Sequence, residues 1–152
     1  MKILVFLLAI VVSHTLRSQD RMEKNVSDYF KAYHTGNVQA MADLLSDSIY
    51  FHDETAEVLG SELLFTNKDT LILTLSKLFE GVADLSWRTS VEFTTGHLGV
   101  SSGMISYRNA LSNDSSVVSY NVVSIVVLDH TARVVKHLEY ANYAEVIRQM
   151  NK

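Results

Sequence analysis

Apolar side chains recur at Met22, Val26, Tyr29, Phe30 and Tyr33, with Lys24, Ser27, Asp28, Lys31 and His34 between them. That spacing is one stripe of an amphipathic helix. Gly36 supplies a stop, and Asn37 a cap for a second helix that turns Val38, Met41, Ala42 and Leu45 inward. Thr66-Asn67-Lys68-Asp69 reads as the capped start of a third, with Leu71, Ile72, Leu75, Leu78 and Phe79 on its buried face. Beyond Gly81 the helical repeat gives way to the two-residue repeat of strands. Leu85, Trp87, Thr89, Val91 and Phe93 alternate with polar partners, and Gly96 and Gly99 mark a turn. A long strand is predicted from Val100 to Leu111, with a bulge or bend at Gly103. Asn113-Asp114 turns the chain into a strand from Ser116 to Leu128, whose far end is apolar on both faces and therefore central. Asp129 to Ala132 turns again, Arg133 to Ala141 is the last strand, and Asn142 to Met150 a short closing helix.

One short strand departs from simple amphipathicity. In Ser48-Ile49-Tyr50-Phe51-His52-Asp53-Glu54, counting by two places Ile49, Phe51 and Asp53 on one face. The face that buries isoleucine and phenylalanine thus also receives a carboxylate. Either the strand ends at His52 and Asp53 opens a solvated turn, or Asp53 points into a pocket. A carboxylate buried among apolar groups is pushed toward its neutral form, which suits a base working near neutral pH.

Helices first and long strands afterwards predict an α+β domain, with three N-terminal helices laid on one face of a curved antiparallel sheet. Strands longer than the usual ~5–6 residues tend to coil, and helices closing the concave side would leave a conical pocket. No repeat, low-complexity stretch or linker divides the chain, so residues 19–152 are expected to form one domain.

The first residues, MKILVFLLAIVVSHTLRSQD, have the layout of a secretory signal: Lys2, then the apolar run Ile3 to Val12, then polar residues. The run is short for a membrane span of roughly 20 residues. Cleavage is expected near Ser18-Gln19, giving an exported, periplasmic or secreted protein. Losing Lys2 and Arg17 would take the formal charge from −4 to −6. An acidic domain with no basic stripe argues against nucleic acid and anionic membranes as partners. With no cysteine, disulfides and thiolate chemistry are excluded, and the hydrophobic core must hold the fold. Asn25-Val26-Ser27 and Asn113-Asp114-Ser115 match the glycosylation sequon. His52, His97, His130 and His137 lack metal-ligand spacing, and there is no Gly-x-Ser-x-Gly elbow, so neither a metal nor a serine nucleophile is expected.

The stretch YFKAYHTGNVQAMADLLSDSIYFHDE, Tyr29 to Glu54, resembles the opening of the nuclear transport factor 2-like superfamily, which includes SnoaL-like polyketide cyclases and ketosteroid isomerases. VVLDHTARVVKHLEYANY resembles its last hairpin. The resemblance implies a cone-shaped fold, a habit of dimerising through the outer sheet face, and a pocket for a small apolar or carbonyl-bearing molecule without cofactor. On that register Asp53 matches the general base and Tyr29 the phenol that polarises a substrate carbonyl. Ser124 stands where the isomerases carry a second, protonated aspartate, a departure from a site that depends on two strong donors.

Tyr33, Trp87, Ser124, His137 and Glu139 are the further candidates for contact with a ligand. Trp87 lies on the inward parity of its strand, where packing is the commoner role of a large aromatic. His137 and Glu139 share parity with Arg133 and Val135; the superfamily register turns them inward, whereas the opposite set, Val134, Leu138 and Tyr140, is more apolar. Two functional readings follow. One is a cofactor-free isomerase or cyclase using Asp53 and Tyr29. The other is a non-catalytic ligand-binding or protein-interaction domain on the same scaffold.

Overall fold

The computed structural model describes residues 19–60, 62–110 and 116–150. The expected leader, residues 1–18, and the turn and sequon at residues 113–115 lie outside them. Helix α1 occupies residues 19–34, α2 Val38–Leu44, α3 Lys68–Glu80 and α4 Tyr143–Met150. The strands are β1 Leu45–Asp53, β2 Leu63–Phe65, β3 Val82–Thr95, β4 Leu98–Asn109, β5 Val117–Leu128 and β6 Val134–Ala141. The loop expected after β1 holds a 3₁₀ turn, Ala56–Leu59, and the short strand β2.

Local chemistry sets the helix boundaries. Asn37 accepts from the Ala40 amide at 3.1 Å to open α2, and Asn67 from the Thr70 amide at 3.1 Å to open α3. Gly36 leaves α1 at φ +67°, a left-handed conformation that side chains disfavour, and a Cβ there would also press on the Phe79 ring at 3.1 Å. Leu45, read from sequence as helical, is instead the first residue of β1 and fully buried.

The sheet order is β2-β1-β6-β5-β4-β3. This corrects the expected curved antiparallel cone. β1 pairs with β6 in parallel, so the sheet is mixed, and the edge strands β2 and β3 are not paired with each other, so it stays open. Alternation of side chains reveals which face of a strand is buried, but it carries no strand direction; the crossover through α3 and the β3–β6 meander sets that. The remaining neighbours are antiparallel.

One core lies between the sheet and α1–α3, around Val26, Tyr29, Phe30, Met41, Ile49 and Leu71. Burying each large apolar side chain stabilises the fold by about 1.5–3 kcal/mol. A smaller core joins α4 to β5 and β6 through Val122, Ala141, Tyr143 and Val146. The two are separate clusters, and the polar groups described next stand where they meet.

Candidate active site

β1 ends as its alternation predicts. Ile49 and Phe51 are buried, and Asp53, its last residue, is only 2% exposed. Its Oδ1 accepts from the Thr55 amide at 3.0 Å and the Thr55 hydroxyl at 2.9 Å, and the Tyr143 hydroxyl donates to Oδ2. Thr55 Oγ1 also accepts from the Ala141 amide at 2.7 Å, which ties this corner to β6.

Directly opposite Asp53 on the parallel partner strand stands Glu139, 8% exposed. The Tyr33 hydroxyl donates to its Oε2 at 2.7 Å and the Ser124 hydroxyl at 3.3 Å, while His137 Nε2 lies 3.6 Å away, beyond a good hydrogen bond. Among the described residues no donor reaches Glu139 Oε1. β6 turns both residues inward because of a register shift. Val127 opposes Lys136 but Leu128 opposes Val134, so Val135 is an extra residue there. The bulge moves Val134 onto the buried face with His137, Glu139 and Ala141, which is why simple counting by two left their direction open.

A cavity of about 90 Å³ lies against these carboxylates. Asp53 and Glu139 form its polar end; Tyr33, Phe51, Phe65, Phe79, Trp87, Tyr120 and Tyr143 supply aromatic walls, and Leu75, Leu78, Ile105 and Val122 aliphatic ones. Leu78, predicted inward, is 45% exposed because it stands at the rim. The cavity shares Leu63, Leu78, Phe79, Ile105, Tyr120 and Tyr143 with an outer chamber of about 530 Å³. Trp87 stacks on His34 with ring centroids 3.7 Å apart. Behind it, a Cβ at Gly103 would fall 2.6 Å from the indole, so the ring position requires glycine there. The irregularity expected at Gly103 falls on its neighbour: the extra residue is Ser90, opposite the Gly103–Ser102 step.

Burial pushes the Tyr29 and Tyr33 hydroxyls well above the usual tyrosine range, reinforced by the Glu139 charge. Tyr143 is pushed up by burial and then by its hydrogen bond to Asp53, and Tyr120 by burial and then by Tyr107. All four phenols therefore stay neutral donors. Burial lowers His34 to about 4, so at neutral pH it is an uncharged imidazole.

The structure brings Asp53, Tyr33, Trp87 and Glu139 to one cavity. Ser124 meets it through Glu139. Tyr29 does not reach Asp53: its hydroxyl shares a 2.7 Å hydrogen bond with His137 Nδ1, and neither residue lines the cavity. The phenol that does pair with Asp53 is Tyr143, at the start of α4, and His34 is a further wall residue. The sequence held only a faint sign of either, since Tyr143 follows a strand end and His34 lies on the polar side of the α1 stripe.

No protein-family model matches the chain, and no curated protein matches it. Solved structures do. A protein from Shewanella denitrificans described as a SnoaL-like polyketide cyclase superposes with a TM-score of 0.73 at 19% identity, over 84% of this chain and 95% of that one. An LEH-like epoxide hydrolase of M. tuberculosis gives 0.67 at 10% identity, over 87% and 90%. A Catenulispora acidiphila protein of ketosteroid isomerase-like fold, in complex with trimethylamine, gives 0.68 at 9% identity, over 84% and 92%. The fold is nuclear transport factor 2-like. At these identities the likeness establishes architecture, and the chemistry rests on this chain's own residues.

Proposed function

We propose that this nuclear transport factor 2-like chain binds a compact, largely apolar small molecule in the aromatic cavity and can move a proton on it through Asp53 and Tyr143. The observation that carries the reading is the buried Asp53–Tyr143 hydrogen bond at the polar end of an otherwise apolar cavity. A carboxylate and a neutral phenol in hydrogen-bond contact are an acid–base couple, and exclusion of water strengthens both interactions. Asp53 would accept the proton on Oδ2 as Tyr143 turns its one hydroxyl hydrogen from that oxygen to the ligand's developing negative charge. Thr55 holds the other carboxylate oxygen in place. The trimethylamine held by the Catenulispora protein supports a ligand of this size class on the scaffold.

A non-catalytic binding role is favoured by a different observation: Asp53 already accepts three hydrogen bonds inside the protein. Trp87 is the chain's single tryptophan and lines the cavity, so its fluorescence reports occupancy directly. Titration of compact apolar molecules bearing one polar group should give a saturable change in Trp87 emission. Silence across such a panel overturns the pocket reading. For any uncharged ligand so found, Asp53→Asn should leave binding in place and abolish solvent hydrogen exchange into the ligand; unchanged exchange leaves the binding role alone. Export is a proposal of the sequence of residues 1–18, and N-terminal sequencing of the cellular protein tests it.

A further inference from the structure

Asp53 and Glu139 are paired residues on adjacent strands, on one face, both buried. Like charges directly opposite each other destabilise a sheet, and removing them from water makes the cost larger. No cationic side chain in the walls offsets them. Among the described residues neither chamber is lined by a lysine or arginine, and the outer chamber carries no ionisable group other than Tyr107, Tyr120 and Tyr143. His34, the one imidazole in the lining, is held neutral by burial.

Two acceptors are also left open. His34 is 7% exposed, lines the cavity, and its Nε2 has no partner; Glu139 Oε1 has no donor among the described residues. A buried polar atom without a partner, as His34 Nε2 is, is rare in proteins. Seven aromatic side chains line the cavity around them, and a ring face turned toward a cation attracts it.

We infer that the cavity is a receptor for a protonated alkylamine. The ammonium group lies between Glu139, Asp53 and the aromatic walls, donating to Glu139 Oε1 and His34 Nε2, and the apolar body extends past Leu78 toward the outer chamber. A cavity of about 150 Å³ holds benzene, so this one takes a head of roughly four non-hydrogen atoms. The shared wall of Leu63, Ile105 and Tyr120 then receives a longer body. This rests on the pocket proposed above and adds the charge class of what fills it.

Three probes with one tert-butyl body decide the matter: tert-butylammonium and tert-butanol, which share a shape, and the larger anion pivalate, titrated into the full chain with Trp87 fluorescence and calorimetry as readouts. The wild type should bind the ammonium roughly tenfold or more tightly than the alcohol, and pivalate least. Glu139→Gln keeps the side chain's shape; it should weaken the ammonium by roughly tenfold and leave tert-butanol within about twofold. Equal binding of ammonium and alcohol, or preference for pivalate, overturns the amine assignment while leaving a pocket. Absence of binding by all three overturns the amine assignment and counts against the pocket itself. The wild-type preference is decisive even where Glu139→Gln fails to fold, and Asp53→Asn, monitored for folding by circular dichroism, provides a second charge deletion.

Discussion

Asp53 and Glu139 face each other across the parallel β1–β6 ladder, are buried to nearly the same degree, and are held in unlike ways. Asp53 has donors on both oxygens: Thr55 twice on Oδ1 and Tyr143 on Oδ2. Those donors come from the turn after β1 and from α4, so Asp53 connects the end of β1 to the closing helix. Glu139 gathers Tyr33 and Ser124 on Oε2 alone and leaves Oε1 to the cavity. The contrast separates two uses of a buried carboxylate. One organises the backbone around it, and the other is kept in position by its neighbours so that an open lone pair faces a ligand.

The sharpest way to break this comparison is Asp53→Ala, which strands the Thr55 amide and the hydroxyls of Thr55 and Tyr143. It should destabilise the fold by about 3–5 kcal/mol, the range for removing one partner of a buried charged cluster. Urea unfolding measures it, and a loss under about 1 kcal/mol would show that this corner does not hold α4. If Glu139→Ala proved equally costly, the distinction between the two carboxylates would disappear.

Acid tests the Glu139 side, because His34 stands within reach of its charge. His34 protonates near 6.5 in the unfolded chain and near about 4 in the fold, held down first by burial. Between those values the unfolded chain binds a proton that the folded one does not. Stability is therefore complete above about pH 6.5 and declines as the pH falls toward 4, by up to on the order of 3 kcal/mol from this residue. The slope should vanish in His34→Gln, as followed by thermal melts across that window; an unchanged slope would assign it to other groups.

The smallest effects sort the phenols. Tyr143→Phe deletes a hydrogen bond to a carboxylate and should cost about 1.5–3 kcal/mol in urea unfolding. Tyr29→Phe deletes only the hydrogen bond shared with His137 Nδ1 and should cost about 1 kcal/mol, with no change in ligand titrations. Ligand binding that fell with Tyr29→Phe and not with Tyr143→Phe would return the donor role to Tyr29.

By itself the sequence determined the helices of α1, α2 and α3 with their Asn37 and Asn67 caps and the succession of the long strands, and it left Asp53 open between a solvated turn and a pocket. These are local consequences: capping acts over three residues and strand parity over two. Glu139 and Trp87 were legible as candidates, Trp87 on the inward parity of its strand, but not the direction of Glu139 or the neighbours of either. The tertiary structure alone decided the parallel β1–β6 pairing that sets Asp53 opposite Glu139, the bulge at Val135 that turns His137 and Glu139 inward, and the choice of Tyr143 over Tyr29 as the partner of Asp53. The meetings of Asp53 with Glu139 and with Tyr143 join residues far apart in the chain, 90 positions for Asp53 and Tyr143. Their meeting depends on strand direction and register, which the packing of the whole core selects and which no local pattern of side chains encodes.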